Sequence, residues 1–88
     1  MSTARQAHKP VPYRTADMYY AAYLKTAGVD LLDSVHDEGR VYFLFEDGPN
    51  LPDLKRAYYN RKGKVAALTY SEEIKVMKAL TFETRRGA

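Results

Sequence analysis

Gly39-Arg40-Val41-Tyr42-Phe43-Leu44-Phe45-Glu46 is the stretch that decides the fold. Successive side chains of an extended chain point to opposite faces, so Val41, Phe43 and Phe45 share one side and Tyr42 and Leu44 the other. Both sides are apolar, so water has to be kept from each. One face is expected to carry helices. The other is expected to meet a second copy of the chain or to stay a half-exposed Tyr and Leu surface. Immediately upstream, Val29 to His36 reads as a second strand, with Leu31, Asp33 and Val35 alternating against Leu32 and Ser34. Asp37-Glu38-Gly39 joins the two as a tight turn, with Gly where a positive φ is needed.

Outward from this hairpin the pattern turns helical. Thr15 is expected to cap a first helix, and Asp17 places negative charge near its N-terminus. The run Ala16 to Ala27 has no breaker; Tyr20, Leu24 and Ala27 share a side, Ala21 adjoins them, and Gly28 ends the helix. Beyond the hairpin, Asp47-Gly48-Pro49 is a turn and Asn50 is the expected cap of a second helix, with Pro52 in its first turn. Leu51, Leu54 and Tyr58 form its apolar face, and Lys55, Arg56 and Tyr59 lie around the other sides. Thr69 and Glu72 have capping-box spacing. They predict a third helix to about Thr81 with Tyr70, Ile74, Met77 and Leu80 or Thr81 as its stripe.

The expected fold is a small single α+β domain of order α-β-β-α-α, an antiparallel hairpin packed against three short helices. It spans residues 13–82, between a flexible N-terminal arm at 1–12 and a frayed C-terminus at 83–88. A hairpin alone is marginal in water, so the helices or further strands must stabilise it. A homodimer that extends the sheet or buries its second face is a further expectation.

Composition removes several classes of chemistry. The 88 residues include no Cys, which excludes disulfides, thiol nucleophiles and zinc sites built on Cys. No apolar run approaches the roughly 20 residues of a membrane span. Met1 to Pro12 lacks the apolar core of a signal peptide. A soluble cytoplasmic protein with no membrane partner is expected. His8 and His36 each lack an evident nucleophile or acid partner, and no carboxylate pair has spacing that demands acid–base work. Asp33, His36 and Asp37 offer metal-ligand atoms with nothing to fix their geometry. The expectation is a non-enzymatic protein with no metal site and no cofactor.

Charge is segregated along the chain. Residues 1–14 carry +3, residues 15–54 carry −6, residues 55–64 carry +5 and residues 65–88 carry +1, for a net +3. The dense basic stretch is Lys55, Arg56, Arg61, Lys62 and Lys64. Two readings of it stay open. Cations near a helix C-terminus complement its dipole and remain solvated. They can also contact DNA or RNA phosphates, assisted by Tyr59, Lys75, Lys78 and the N-terminal arm, in a salt-sensitive and largely sequence-independent way. Eight Tyr against three Phe and no Trp suit a core boundary or a contact surface. Tyr42, Leu44 and Tyr59 are the candidate residues for a protein partner.

Further motifs bracket these elements. Tyr13-Arg14-Thr15-Ala16-Asp17, Ala22-x-Leu24 and Gly28 precede the central Gly39 to Glu46 stretch. Leu54-x-x-x-Tyr58-x-Asn60, Val65-x-Ala67 and Tyr70-x-x-x-Ile74-Lys75-x-x-Lys78 follow it. Together, over about residues 13–82, they resemble the small family catalogued as domain of unknown function 5659. The resemblance implies no activity. It implies a phage or mobile-element setting, in which small proteins handle nucleic acid or bind a host or phage protein.

Overall fold

A computed structural model of the protein describes residues 11–87. The expected flexible arm falls almost wholly on residues 1–10, outside the described residues, as do His8 and Ala88. The elements are β1 (Tyr13–Thr15), α1 (Met18–Thr26), β2 (Leu31–Asp37), β3 (Arg40–Phe45), α2 (Leu51–Tyr59) and α3 (Ala67–Gly87). The α+β class holds, with one strand more than the hairpin and the order β-α-β-β-α-α.

The sheet is antiparallel in the order β1-β3-β2, so the Val41–Phe45 segment forms its central strand. Asp37 pairs with Arg40 across a two-residue turn in which Glu38 and Gly39 both have positive φ, 50° and 79°. That geometry twists the hairpin in the sense its strands require. β1 docks on the other side of β3, with Tyr13 opposite Phe45, Arg14 opposite Leu44 and Thr15 opposite Phe43. Opposite residues share a face, so Tyr13 and Thr15 join the core side and Arg14 the outer side.

The alternation reads true in burial. Val41, Phe43 and Phe45 are buried, and Tyr42 and Leu44 are half-buried. α1 and α3 pack together on the Phe43 side, with α3 lying over β2 and β3. Met77 is fully buried at that junction, and near the far end of α3 the hydroxyls of Thr84 and Ser34 are hydrogen-bonded at 2.7 Å. Among the described residues the outer face of the sheet carries no helix; the Arg14 guanidinium lies over it, 3.7 Å from the Tyr42 ring centroid and donating to Asp37 Oδ2 at 3.2 Å.

Several local expectations are corrected. Asp17, not Thr15, caps α1: its Oδ1 accepts from the amides of Tyr19 and Tyr20 at 3.0 and 3.1 Å. Thr15 is the last residue of β1, and its hydroxyl accepts from the Asp17 amide. α1 has no single apolar stripe. Tyr20, Ala21, Ala22, Tyr23 and Leu24 are all buried, because sheet, α2 and α3 surround the helix, and Ala27 is exposed at its end. Gly28, at φ 96°, closes α1 as expected. Asn50 makes no side-chain cap bond. α3 begins two residues before Thr69, which removes the capping box, and continues beyond Thr81 to Gly87.

Candidate nucleic-acid interface

α2 stops because Tyr59 is followed by a turn that satisfies the last carbonyls of the helix. The amides of Asn60, Arg61, Lys62 and Gly63 donate to the carbonyls of Arg56, Tyr58, Ala57 and Ala57 respectively, at 2.8–3.1 Å. Asn60 Nδ2 adds a second bond to the Arg56 carbonyl at 2.9 Å. To make this turn Arg61 takes a left-handed conformation, φ 59°, which glycine would adopt without strain. Three cations, Arg61, Lys62 and Lys64, are thereby held exposed on a short, backbone-pinned turn.

The turn lies against a tyrosine cluster. Tyr20 and Tyr58 have ring centroids 4.9 Å apart, Tyr23 and Tyr58 5.1 Å, and Tyr58 and Tyr59 5.1 Å. Tyr20 is fully buried, and its hydroxyl has no hydrogen-bond partner among the described residues. Tyr23, Tyr58, Arg61, Gly63, Val65 and Tyr70 line an open cleft of about 220 Å³. Gly63 sits flush against Tyr23: a Cβ at that position would lie 2.7 Å from the ring. Tyr70 donates to the Tyr19 carbonyl at 3.3 Å, which ties the first turns of α3 to α1.

Burial, reinforced by the Asp17 carboxylate, pushes the Tyr58 hydroxyl up to about 12. Burial raises Tyr20 further, with Tyr13 contributing, and raises Tyr59 and Tyr70 as well. The folded chain therefore holds the protons of Tyr20, Tyr58, Tyr59 and Tyr70 more tightly than the unfolded chain, in which a tyrosine titrates near 10. The resulting stability is intact below pH 10 and falls as pH rises from 10 towards 12. Thermal unfolding followed across this range, with tyrosinate absorbance read in parallel, is expected to show the melting temperature falling as tyrosinate appears. A melting temperature unchanged up to pH 12 would contradict the burial of these hydroxyls.

The remaining sequence candidates do not all converge. Lys55 points its ammonium towards the Tyr13 ring, 5.9 Å from the centroid. Arg56 is paired with Asp53 at 3.0 Å in an exposed contact. Lys75 and Lys78 are exposed on α3, about 12 and 16 Å along the helix from Ala67 at 1.5 Å per residue. The turn thus gathers three of the seven named cations; the other four stand on α2 and α3. Tyr42 and Leu44 lie on the helix-free face of the sheet, whereas Tyr59 belongs to the cluster between the helices. The three do not make one surface. Among the described residues no group of three His, Asp or Glu is placed to hold a metal ion. No helix among the described residues is long and apolar enough to cross a membrane.

Sequence reading did not single out the cleft itself. Tyr70 reads as core by its spacing, and Tyr23 sits among alanines without a pattern of its own. The usable signal was the coincidence of two tyrosine clusters, at 19–23 and 58–59, with a glycine between cations.

A family model described as Domain of unknown function (DUF5659) matches residues 11–83. Neither the curated proteins nor the solved structures include a match to this chain.

Proposed function

The chain belongs to the DUF5659 family, and from that premise we propose that it is a small non-enzymatic accessory protein that binds nucleic-acid phosphates. The observation that carries this reading is the exposed turn on which Arg61, Lys62 and Lys64 stand together. No acidic side chain pairs with any of them among the described residues. Fixing three cations on a pinned turn lowers the entropy lost when a phosphodiester strand docks. Each phosphate neutralised releases counterions, so affinity falls with salt.

The test is binding of labelled DNA and RNA oligonucleotides across salt. Three contacts to a single strand predict a roughly 20-fold loss of affinity between 50 and 200 mM salt. Replacing Arg61, Lys62 and Lys64 together by Ala is expected to flatten the log–log slope by about 2. A slope unchanged by that substitution removes the turn as the contact. Failure to bind at low salt removes nucleic acid altogether and leaves the second reading, a protein contact on the helix-free sheet face. That reading is favoured by the Tyr42 and Leu44 surface with Arg14 stacked on it. There the partner is a second copy of this chain or another protein, and Tyr42→Ala is the discriminating variant.

A further inference from the structure

We propose that the tyrosine cleft beside the basic turn receives one unstacked nucleobase, so that the partner is a single strand and not a duplex. The proposal rests on the phosphate reading above and adds to it a site for the base.

Four observations converge on it. First, the walls are aromatic: Tyr58 and Tyr70 are half-buried, and Tyr23, nearly buried, packs behind Tyr58 at 5.1 Å. Every base has a π-face, so such walls accept bases with little regard to sequence. Secondly, the cleft is open and has a volume of about 220 Å³, space for a planar heterocycle, whereas the paired bases of a duplex are already stacked and cannot enter it. Thirdly, Gly63 of the turn lies against the tyrosine layer without a side chain. Any side chain there would strike Tyr23, so the turn lies as close to the rings as backbone allows. Fourthly, Arg61 lines the cleft itself while Lys62 and Lys64 flank Gly63 in sequence. A strand whose base enters the cleft therefore carries its phosphates past cations.

Asp17 is a nearby negative charge that opposes an anionic strand, and Glu73, one turn after Tyr70 on α3, is paired with Lys25 at 3.5 Å. The Oδ1 of Asp17 is already engaged by two α1 amides, at the positive end of that helix, which offsets much of its field. The arrangement differs from a bare basic patch, which would favour the duplex through its greater counterion release and would not distinguish a strand with bases from an abasic one.

Full-length protein decides the matter with three labelled probes of one length: oligothymidylate, an abasic strand with the same phosphates, and a duplex. Oligothymidylate is expected to bind about 5- to 150-fold more tightly than the abasic strand, the span of one base–aromatic stack. Tyr70→Leu is expected to erase that preference while leaving abasic binding in place, and Tyr70→Phe to retain it. Equal affinity for thymidylate and abasic strands overturns the cleft and leaves the cationic turn standing. So does tighter binding to the duplex. A preference that survives Tyr70→Leu also overturns the cleft. Absence of binding to all three probes at low salt overturns the turn and the cleft together. The wild-type comparison among probes stands even where Tyr70→Leu lowers the stability of the chain.

Discussion

Phe43→Ala is expected to remove about 3–5 kcal/mol of stability, the usual cost of deleting a buried phenyl ring. Phe43 is 1% exposed at the middle of the central strand, facing the layer formed by α1 and α3. Its neighbours across the sheet are Thr15 and Ser34, neither large enough to fill the space it would vacate. A domain of 88 residues has roughly 4–13 kcal/mol in total. The variant therefore retains little margin, and part of it is unfolded at physiological temperature. Urea unfolding followed by circular dichroism measures the loss. The same truncation one residue earlier, Tyr42→Ala, is the control. That ring is half-exposed on the helix-free face and is expected to cost about 1 kcal/mol, a cation–π contact and some area. Equal losses at the two positions would mean that the helices do not lie on the side assigned to them.

Gly63→Ala is the second large effect, and its sign separates two physical causes. Gly63 does not have a left-handed backbone, so alanine meets no conformational penalty there. By unfolded-chain entropy alone the change would stabilise by about 0.4–1 kcal/mol. Sterics decide otherwise. The added Cβ would lie 2.7 Å from Cε1 and the hydroxyl oxygen of Tyr23 and 2.8 Å from Cζ. Tyr23 is 5% exposed and packs against both Tyr20 and Tyr58, which resists movement of its ring. The turn has to lift instead, at a cost of about 1–3 kcal/mol by analogy with overpacked cores. Lifting it also moves Arg61 off the cleft and shifts Lys62 and Lys64 beside it in sequence, so oligonucleotide affinity is expected to fall in the same variant. Gly48→Ala meets nothing within 4 Å and is the neutral reference. Thermal melts of both variants check the prediction. A Gly63→Ala chain as stable as the Gly48→Ala chain would show that the turn does not rest on Tyr23.

The central strand, its turn and the first helix were legible because each has a local cause. Alternation over Val41–Phe45 needs only the two-residue repeat of an extended chain, and Gly28 and Gly39 need only their freedom at positive φ. What escaped reading has non-local causes. β1 is three residues long, too short to show a period, and it exists because Tyr13 and Thr15 find Phe45 and Phe43 some 30 residues on. That pairing takes Thr15 out of the cap position and hands the role to Asp17. The burial of α1 on nearly every side comes from three layers meeting around it, which no helical repeat encodes. α3 outran its expected end because the Thr84–Ser34 bond and the nearby strand support it to the last turn. The basic stretch was plain in the sequence as composition. Its division into a gathered turn, a paired Arg56 and a remote Lys55 depends on where α2 stops, and only the fold supplies that.

The short strand β1 has a protective effect beyond its own hydrogen bonds. Without it, the segment Val-Tyr-Phe-Leu-Phe would present an open row of amides and carbonyls with no charge and no proline to discourage another chain. Such an edge is the usual template for cross-β self-assembly. Three residues, one of them the Arg14 that also screens Tyr42, thus keep the greasiest part of the molecule from propagating its sheet through neighbouring molecules.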